Sequence, residues 1–321
     1  MELRDSRVDD ILLERQEQAF LLGEEKKEKY YQVFPALRDL DRKIQIQKAD
    51  MLLELFNQAG TRSDKSGLLR LESEKKQLLQ SANIPENYDK SVYACNHCED
   101  TGIVNEELCS CYRSLLVPYL KEKGGLSDYR FLTFANFNAS FFSDPEKMIL
   151  IRKANESYAA DFPGQKRSQL FLGNPGTGKT YMAISIANAV AEKGVVVFFT
   201  RIGGLFEIMN NYRVQMMSYS PDAALMEVLD QKKKMILEAD LLVIDELGVE
   251  ARGLNNTADL LDIIGQRKVK NLATVITSNL GIAELKRVYD DRLCSRLLGD
   301  FFPVVFEGKD IRLSPAYREL L

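Results

Sequence analysis

Residues 173–180 read GNPGTGKT, the phosphate-loop pattern of four variable residues between a first glycine and Gly-Lys-Thr. Its flanks suit it. Gln169–Leu172 (QLFL) reads as a short buried strand, and Tyr181–Lys193 as an apolar helix-forming run. A chance glycine-rich turn lacks that strand–loop–helix setting. Gly173, Gly176 and Gly178 let the backbone turn tightly and approach phosphate oxygens. The N–H groups of the loop, which holds Asn174, Pro175 and Thr177 between its glycines, and the following helix N-terminus then face an anion, with Tyr181 closing the stretch. Lys179 adds a positive charge beside the outer phosphates, and Thr180 offers a hydroxyl to Mg²⁺.

Outward from this loop, strands and helices alternate, the sign of a parallel sheet with helices on its faces. Strands are expected at Val195–Thr200 (VVVFFT), Leu241–Ile244, Ala273–Thr277 and Phe301–Phe306, and helices at Gly203–Arg213, Leu260–Lys270 and Glu284–Leu298. Pro303 marks the last strand as an edge or bulged one. Asp144 and Pro145 open a helix to about Ala160. Before it lies an aromatic stretch, Tyr129 to Phe142, expected mainly as core and in part as wall of a base pocket.

LLVIDE, residues 241–246, delivers two acids at the C-terminal end of an apolar strand, where open α/β sheets bind ligands. Asp245 is expected beside Thr180 at Mg²⁺, and Glu246 against an attacking water. Asn279, at the tip of the next strand, can reach the γ-phosphate or that water. Arg292 and Arg296 lie four residues apart, on one helical face. They read either as a solvated basic face or as a cation reaching a neighbouring subunit's nucleotide. Cys294 is expected as a buried helix residue.

The net charge of −4 gives no global basic field, although a local basic patch is compatible with it. No run is apolar enough to span a bilayer, and the charged start MELRDSRVDD is no signal peptide. A cytoplasmic location is expected. Four of five cysteines cluster in CNHCEDTGIVNEELCSC: Cys95, Cys98, Cys109 and Cys111. Two close pairs joined by a hairpin-like segment can close a tetrahedral thiolate site for structural Zn²⁺. His97, the one histidine, is expected to point outward.

Residues 1–90 carry apolar groups at helical spacing, with a polar break at Asn57–Gly67 and an end to the pattern at Ile84-Pro85. They suit a small bundle or a docking surface. Three regions follow: helical 1–90, a zinc-binding module and linker 91–125, and a nucleotide domain 126–321. A short helix Val117–Lys123, ended by Gly124-Gly125, would link the last two.

GNPGTGKT, VIDELG, TSN and DRLCSRL, in that order, resemble the AAA+ ATPases of the initiator and helicase-loader group. Within it the chain looks most like DnaC/DnaI-type bacterial replicative helicase loaders, with IstB-type transposition ATPases as near relatives. FLTFANF, GKDIRL and the cysteine-rich stretch are similar to members from Gram-positive bacteria and their phages. The resemblance covers about residues 91–315. It implies an AAA+ P-loop NTPase: a parallel sheet flanked by helices, preceded by a helical region and a small zinc module. It implies ATP and Mg²⁺ as cofactors, Asn279 as first sensor, and Arg296, with Arg292 beside it, as a finger acting in trans within an ATP-dependent oligomer. The implied function is ATP-controlled delivery of a replicative DNA helicase onto single-stranded DNA, the strand meeting Tyr212 to Tyr219 and Lys232–Lys234. The stretch after Phe306 is short for a helical lid, and Arg312 is the nearby candidate for a second sensor. Two rivals share the motifs: an IstB-like ATPase regulating a transposase, and a non-hydrolysing adaptor stabilised by nucleotide.

Overall fold

The computed structural model describes residues 4–56, 65–249 and 255–313. Most of the polar break expected at Asn57–Gly67 lies outside them. The described residues fall into two compact units, Asp5–Tyr112 and the remainder.

The smaller unit is built on three helices: α1 (Ser6–Val33), α2 (Pro35–Phe56) and α3 (Lys65–Ser81). Asp5 caps α1, its carboxylate accepting from the Arg7 N–H at 3.1 Å, which satisfies one of the helix's orphan donors. One apolar cluster holds Tyr31, Leu37, Leu79, Ile84 and Tyr88, and Val8, Leu12 and Tyr112 are buried elsewhere in the unit. Beside the first cluster sits a polar one. Asp41 accepts from the Tyr31 hydroxyl at 2.8 Å and from the Tyr88 hydroxyl, and pairs with Lys75 at 2.7 Å. Burial pushes the Asp41 carboxyl up, but the bonds from Lys75, Tyr88 and Tyr31 outweigh it and hold the group below its ordinary pKa. The unit ends in a hairpin, β1 (Ile103–Val104) with β2 (Glu107–Leu108), and the start of α4 (Ser110–Lys123). α4 begins well before the expected Val117. Pro118 lies inside it, at the cost of a helix hydrogen bond.

The larger unit holds α5 (Pro145–Asp161), β3 (Gln169–Gly173), α6 (Lys179–Ala191), β4 (Val197–Arg201), α7 (Ile202–Met216), α8 (Ala223–Glu238), β5 (Leu241–Leu247), α9 (Asn256–Val269), β6 (Ala273–Ser278), α10 (Ile282–Val288), α11 (Asp291–Asp300) and β7 (Phe302–Phe306). The sheet order is β4-β5-β6-β3-β7, with every pairing parallel. The inner strands are apolar on both sides because helices cover both faces. α6 is buried almost all round, from Met182 to Ala191. β7 is an edge, so the missing amide of Pro303 is tolerated. The alternation, the strand order and the phosphate loop after β3 make this an AAA+ P-loop fold.

Two helix expectations change. Glu284–Leu298 is two helices, parted at Tyr289-Asp290: Asp290 accepts from the Leu293 N–H at 2.8 Å and starts a new helix. α8 was not anticipated. Asp222 caps it, accepting from the Leu225 N–H at 3.1 Å.

Candidate functional site

Topology gathers the site. β6 lies between β3 and β5, so the phosphate loop, the two acids and Asn279 emerge side by side at the strands' C-terminal ends. They open onto one cleft of about 380 Å³, lined among others by Gly178, Lys179, Thr180, Glu246, Thr277 and Asn279.

The loop turns where its glycines stand. Gly178 has φ +90°, and a Cβ there would press on the Phe142 ring at 2.7 Å. Lys179 begins α6 and is 4 % exposed. Its ammonium donates to the carbonyls of Gly173 at 2.7 Å and Asn174 at 2.6 Å. Burial, with Arg312 adding to it, pulls the Lys179 pKa down to about 8 against the opposing charges of Asp245 and Asp310. Thr177 ties the loop internally, donating to the Asn174 carbonyl at 2.8 Å.

Asp245 is 2 % exposed. Its Oδ1 accepts from the Thr180 hydroxyl at 2.8 Å and from the Thr277 hydroxyl at 2.6 Å. An oxygen-rich pair, one hydroxyl and one carboxylate in contact at the cleft, fits a hard cation such as Mg²⁺ that keeps most of its waters. Glu246 is turned out of the strand by a register shift: Ile244 opposes Ile276, but Leu247 opposes Ser278. The extra residue puts Glu246 at φ +65°, a left-handed conformation costing about 1 kcal/mol for a residue with a side chain. The Glu246 N–H donates to Thr277 Oγ1 at 3.0 Å. Thr277 therefore fixes both acids. Its role was not read from the sequence, although the parallel register of two adjacent apolar strands is the signal that could have found it. Arg201, at the tip of β4, was missed too. Its Nε stands 3.8 Å from Glu246 Oε2.

The aromatic stretch wraps α6. Phe134, Phe137 and Phe142 are buried, while Phe131 is exposed and stacks under Arg130 instead of entering the core. Asn188 donates to the carbonyls of Tyr129 and Leu132 at 3.0 Å each, and the Tyr181 hydroxyl to that of Thr133 at 3.1 Å. These bonds bring Leu132, Phe137, Phe141 and Phe142 to the cleft wall.

Arg292 and Arg296 do not join the cleft. Both are exposed on α11, border a separate groove with Leu261 and Asp262, and Arg296 pairs with Asp300 at 3.3 Å. Cys294 is buried on the same helix, as expected. Of the residues expected at a nucleic-acid strand, Arg213 is tied to Asp259 at 2.6 Å, and the Tyr212 ring carries the Lys233 ammonium 3.7 Å from its centroid. Tyr219, Met216 and Met217 are exposed.

In the smaller unit, Cys95, Cys98, Cys109 and Cys111 place their sulfurs within 4.8 Å of one another. Cys95 and Cys109 are 3.8 Å apart and Cys98 and Cys111 3.3 Å. Four thiolates about 2.3 Å from Zn²⁺ would stand about 3.8 Å from each other, so the cluster fits that ion. A tight turn carries the first pair. Asp100 is fully buried and accepts from the N–H groups of Ala94 at 2.8 Å and Cys95 at 2.9 Å. The hairpin then returns the chain, and Cys111 sits on the first turn of α4. Amides at Cys98 and His97 draw the Cys95 pKa down to about 7. His97 is exposed and outside the cluster. Among the described residues no helix is long and apolar enough to cross a membrane.

The family described as IstB-like ATP binding protein matches residues 132–302. The chain is 23% identical over 240 residues to the replicative helicase loader DnaC of Buchnera aphidicola subsp. Schizaphis graminum, covering 74% of this chain and 92% of that protein. It is 25% identical over 236 residues to the phage-like element PBSX protein XkdC of Bacillus subtilis, covering 67% and 82%. The crystal structure of DnaI aligns with a TM-score of 0.43 at 23% identity, over 56% of this chain and 90% of that one.

Proposed function

The chain belongs to the IstB-like ATP binding protein family, and from that premise we propose that it is a slow, regulated ATPase that delivers a replicative DNA helicase onto single-stranded DNA. The observation carrying the ATPase half is the convergence of Lys179, Thr180, Glu246 and Asn279 on one cleft, with Asp245 buried behind it against the Thr180 hydroxyl. The partner half rests on the similarity to a replicative helicase loader across 92% of that protein's length.

In this reading the adenine lies against Phe137, Phe141 and Phe142. Lys179 leaves its loop carbonyls for the outer phosphates. Thr180 and Asp245 would hold Mg²⁺, which supplies charge neutralisation at the β- and γ-phosphates. Glu246, free of Arg201, orients a water and accepts its proton, and Asn279 holds the water or the γ-phosphate. Arg296, with Arg292 beside it, serves the nucleotide of a neighbouring copy, so the working form is an ATP-dependent oligomer. Residues 1–90 grip the helicase, 91–125 form a zinc-stabilised module, and 126–321 form the motor, in the cytoplasm. The exposed Tyr219 and Lys232 and Lys234 meet the single strand by stacking and charge.

The test mixes the full chain with its organism's replicative helicase, Mg·ATP and circular single-stranded DNA. Chain-dependent helicase capture and unwinding are expected. Absence of any complex at micromolar concentration would overturn the partner half. The family match favours one second reading, regulation of a transposase, in which the transposase and not the helicase is retained.

A further inference from the structure

Beyond β7, residues 307–313 run back across the phosphate loop as a strap. Glu307 pairs with Lys147 at 2.7 Å, and the Lys309 N–H donates to Ser143 Oγ at 3.1 Å. The Ile311 N–H donates to the Gly176 carbonyl at 3.0 Å, and its side chain packs against the main core. Between these tethers stands Asp310. Its carboxylate lies where a Cβ on Gly176 would be, so the space beside this loop residue, at φ +70°, is filled by an anion. Arg312 holds both oxygens, Nε to Oδ1 at 2.9 Å and Nη2 to Oδ2 at 2.6 Å. Arg312 also lines the nucleotide cleft. A loop of phosphate-binding pattern thus already carries a carboxylate at its rim, and a guanidinium lining the same cleft is bound to it.

We propose that Asp310 is an internal anion that competes with the nucleotide's phosphates for the phosphate loop and for Arg312. Binding then exchanges partners: Arg312 passes from the Asp310 carboxylate to the phosphates, and the carboxylate withdraws from Gly176. Like charges near the same loop repel, while a guanidinium pairs as well with phosphate as with carboxylate. The strap is tethered at Lys147, Ser143 and, through Ile311, at Gly176, so the exchange requires only the Asp310 and Arg312 side chains to re-orient. It makes nucleotide affinity a property of the strap as well as of the loop. The inference rests on the reading of the cleft as a nucleoside-triphosphate site.

The experiment is titration calorimetry of the full chain and two variants with Mg·ATP. Asp310→Asn keeps size and removes charge, so its Kd is expected to fall about threefold to tenfold, the scale of one exposed charge pair. Arg312→Gln is expected to raise Kd by a similar factor. If the wild type binds no Mg·ATP, the cleft reading itself fails. If the wild type binds and Asp310→Asn binds as well or more weakly, Asp310 is only a tether and the competition is overturned. Wild-type affinity in Arg312→Gln would overturn the transfer of the guanidinium.

Discussion

The two units are held together by different means. The larger rests on apolar burial: fully apolar strands, a helix buried on every side, and a continuous core from Phe134 to Phe306. Among its described residues the smaller has a five-residue apolar cluster, further buried apolar side chains such as Val8, Leu12 and Tyr112, one carboxylate gathering two tyrosines and a lysine, and four sulfurs that fit a metal. It also leaves Leu13, Phe20 and Leu21 exposed on α1. A core of the first kind stands without help, because burial is non-directional and shared among many contacts. A structure of the second kind hangs on a few charged or metal-bound centres, each costly to lose. The unit proposed to hydrolyse ATP is the one resting on the broad apolar core. The unit proposed to grip a partner is held by switchable contacts.

The largest effect expected to separate them is metal loss. Structural Zn²⁺ sites contribute on the order of 10 kcal/mol to folding, so a chelator or Cys98→Ser is expected to melt the smaller unit while Mg·ATP affinity stays unchanged. Circular dichroism with calorimetry reads both, and metal analysis should find one zinc per chain. A metal-free chain with an unaltered melt would break the contrast. Next is Asp41→Ala, which takes the acceptor from two hydroxyls and leaves Lys75 only Asp89 as its carboxylate partner, and is expected to cost about 3 kcal/mol in urea unfolding of the smaller unit. Because the folded state holds the Asp41 carboxyl below its ordinary pKa, its stabilisation is present above the unfolded value. It is lost as pH falls through the folded one, so an acid titration should weaken the smaller unit first.

In the larger unit the pH response has the opposite direction. Lys179 sits near pKa 8 in the folded chain, and phosphate binding needs its charge. Mg·ATP affinity should be level below pH 8 and weaken above it, by at most about tenfold per pH unit. Lys179→Met, whose affinity should be low and flat with pH, checks the assignment. The smallest effect is Tyr181→Phe. Losing one hydrogen bond to the Thr133 carbonyl should cost about 1 kcal/mol, read as a modest drop in nucleotide affinity and in melting temperature.

Much of the larger unit was legible because its signals are local. GNPGTGKT specifies a loop by its glycines, LLVIDE a buried strand by its unbroken apolar run, and Pro303 an edge. Asp144 announces a helix start. Asp290 announces another, and its cap was overlooked because Glu284–Leu298 otherwise reads as one helix. What was not legible depends on register and on partners distant in sequence. Thr277 bridges Asp245 and Glu246 only because β5 and β6 run side by side with a shift at Glu246. Arg213, expected at a nucleic-acid strand, is turned inward by Asp259 across α7 and α9. Asp310 meets Gly176 only when the chain folds back over its own loop. In the smaller unit the cysteine spacing announced the cluster, but not that Cys111 sits on the first turn of a helix, since the helix expected there began only at Val117.

The cleft is proposed to hydrolyse ATP and not merely to hold it. The measurement is steady-state phosphate release at saturating Mg·ATP, with and without single-stranded DNA, for the wild type and Glu246→Gln. The prediction is slow turnover by the wild type, altered by DNA, and a loss of about a hundredfold or more in the variant, the scale of removing a general base, at unchanged ATP affinity. Both proteins binding ATP with neither releasing phosphate under any condition would contradict the account and leave a nucleotide-stabilised adaptor in its place.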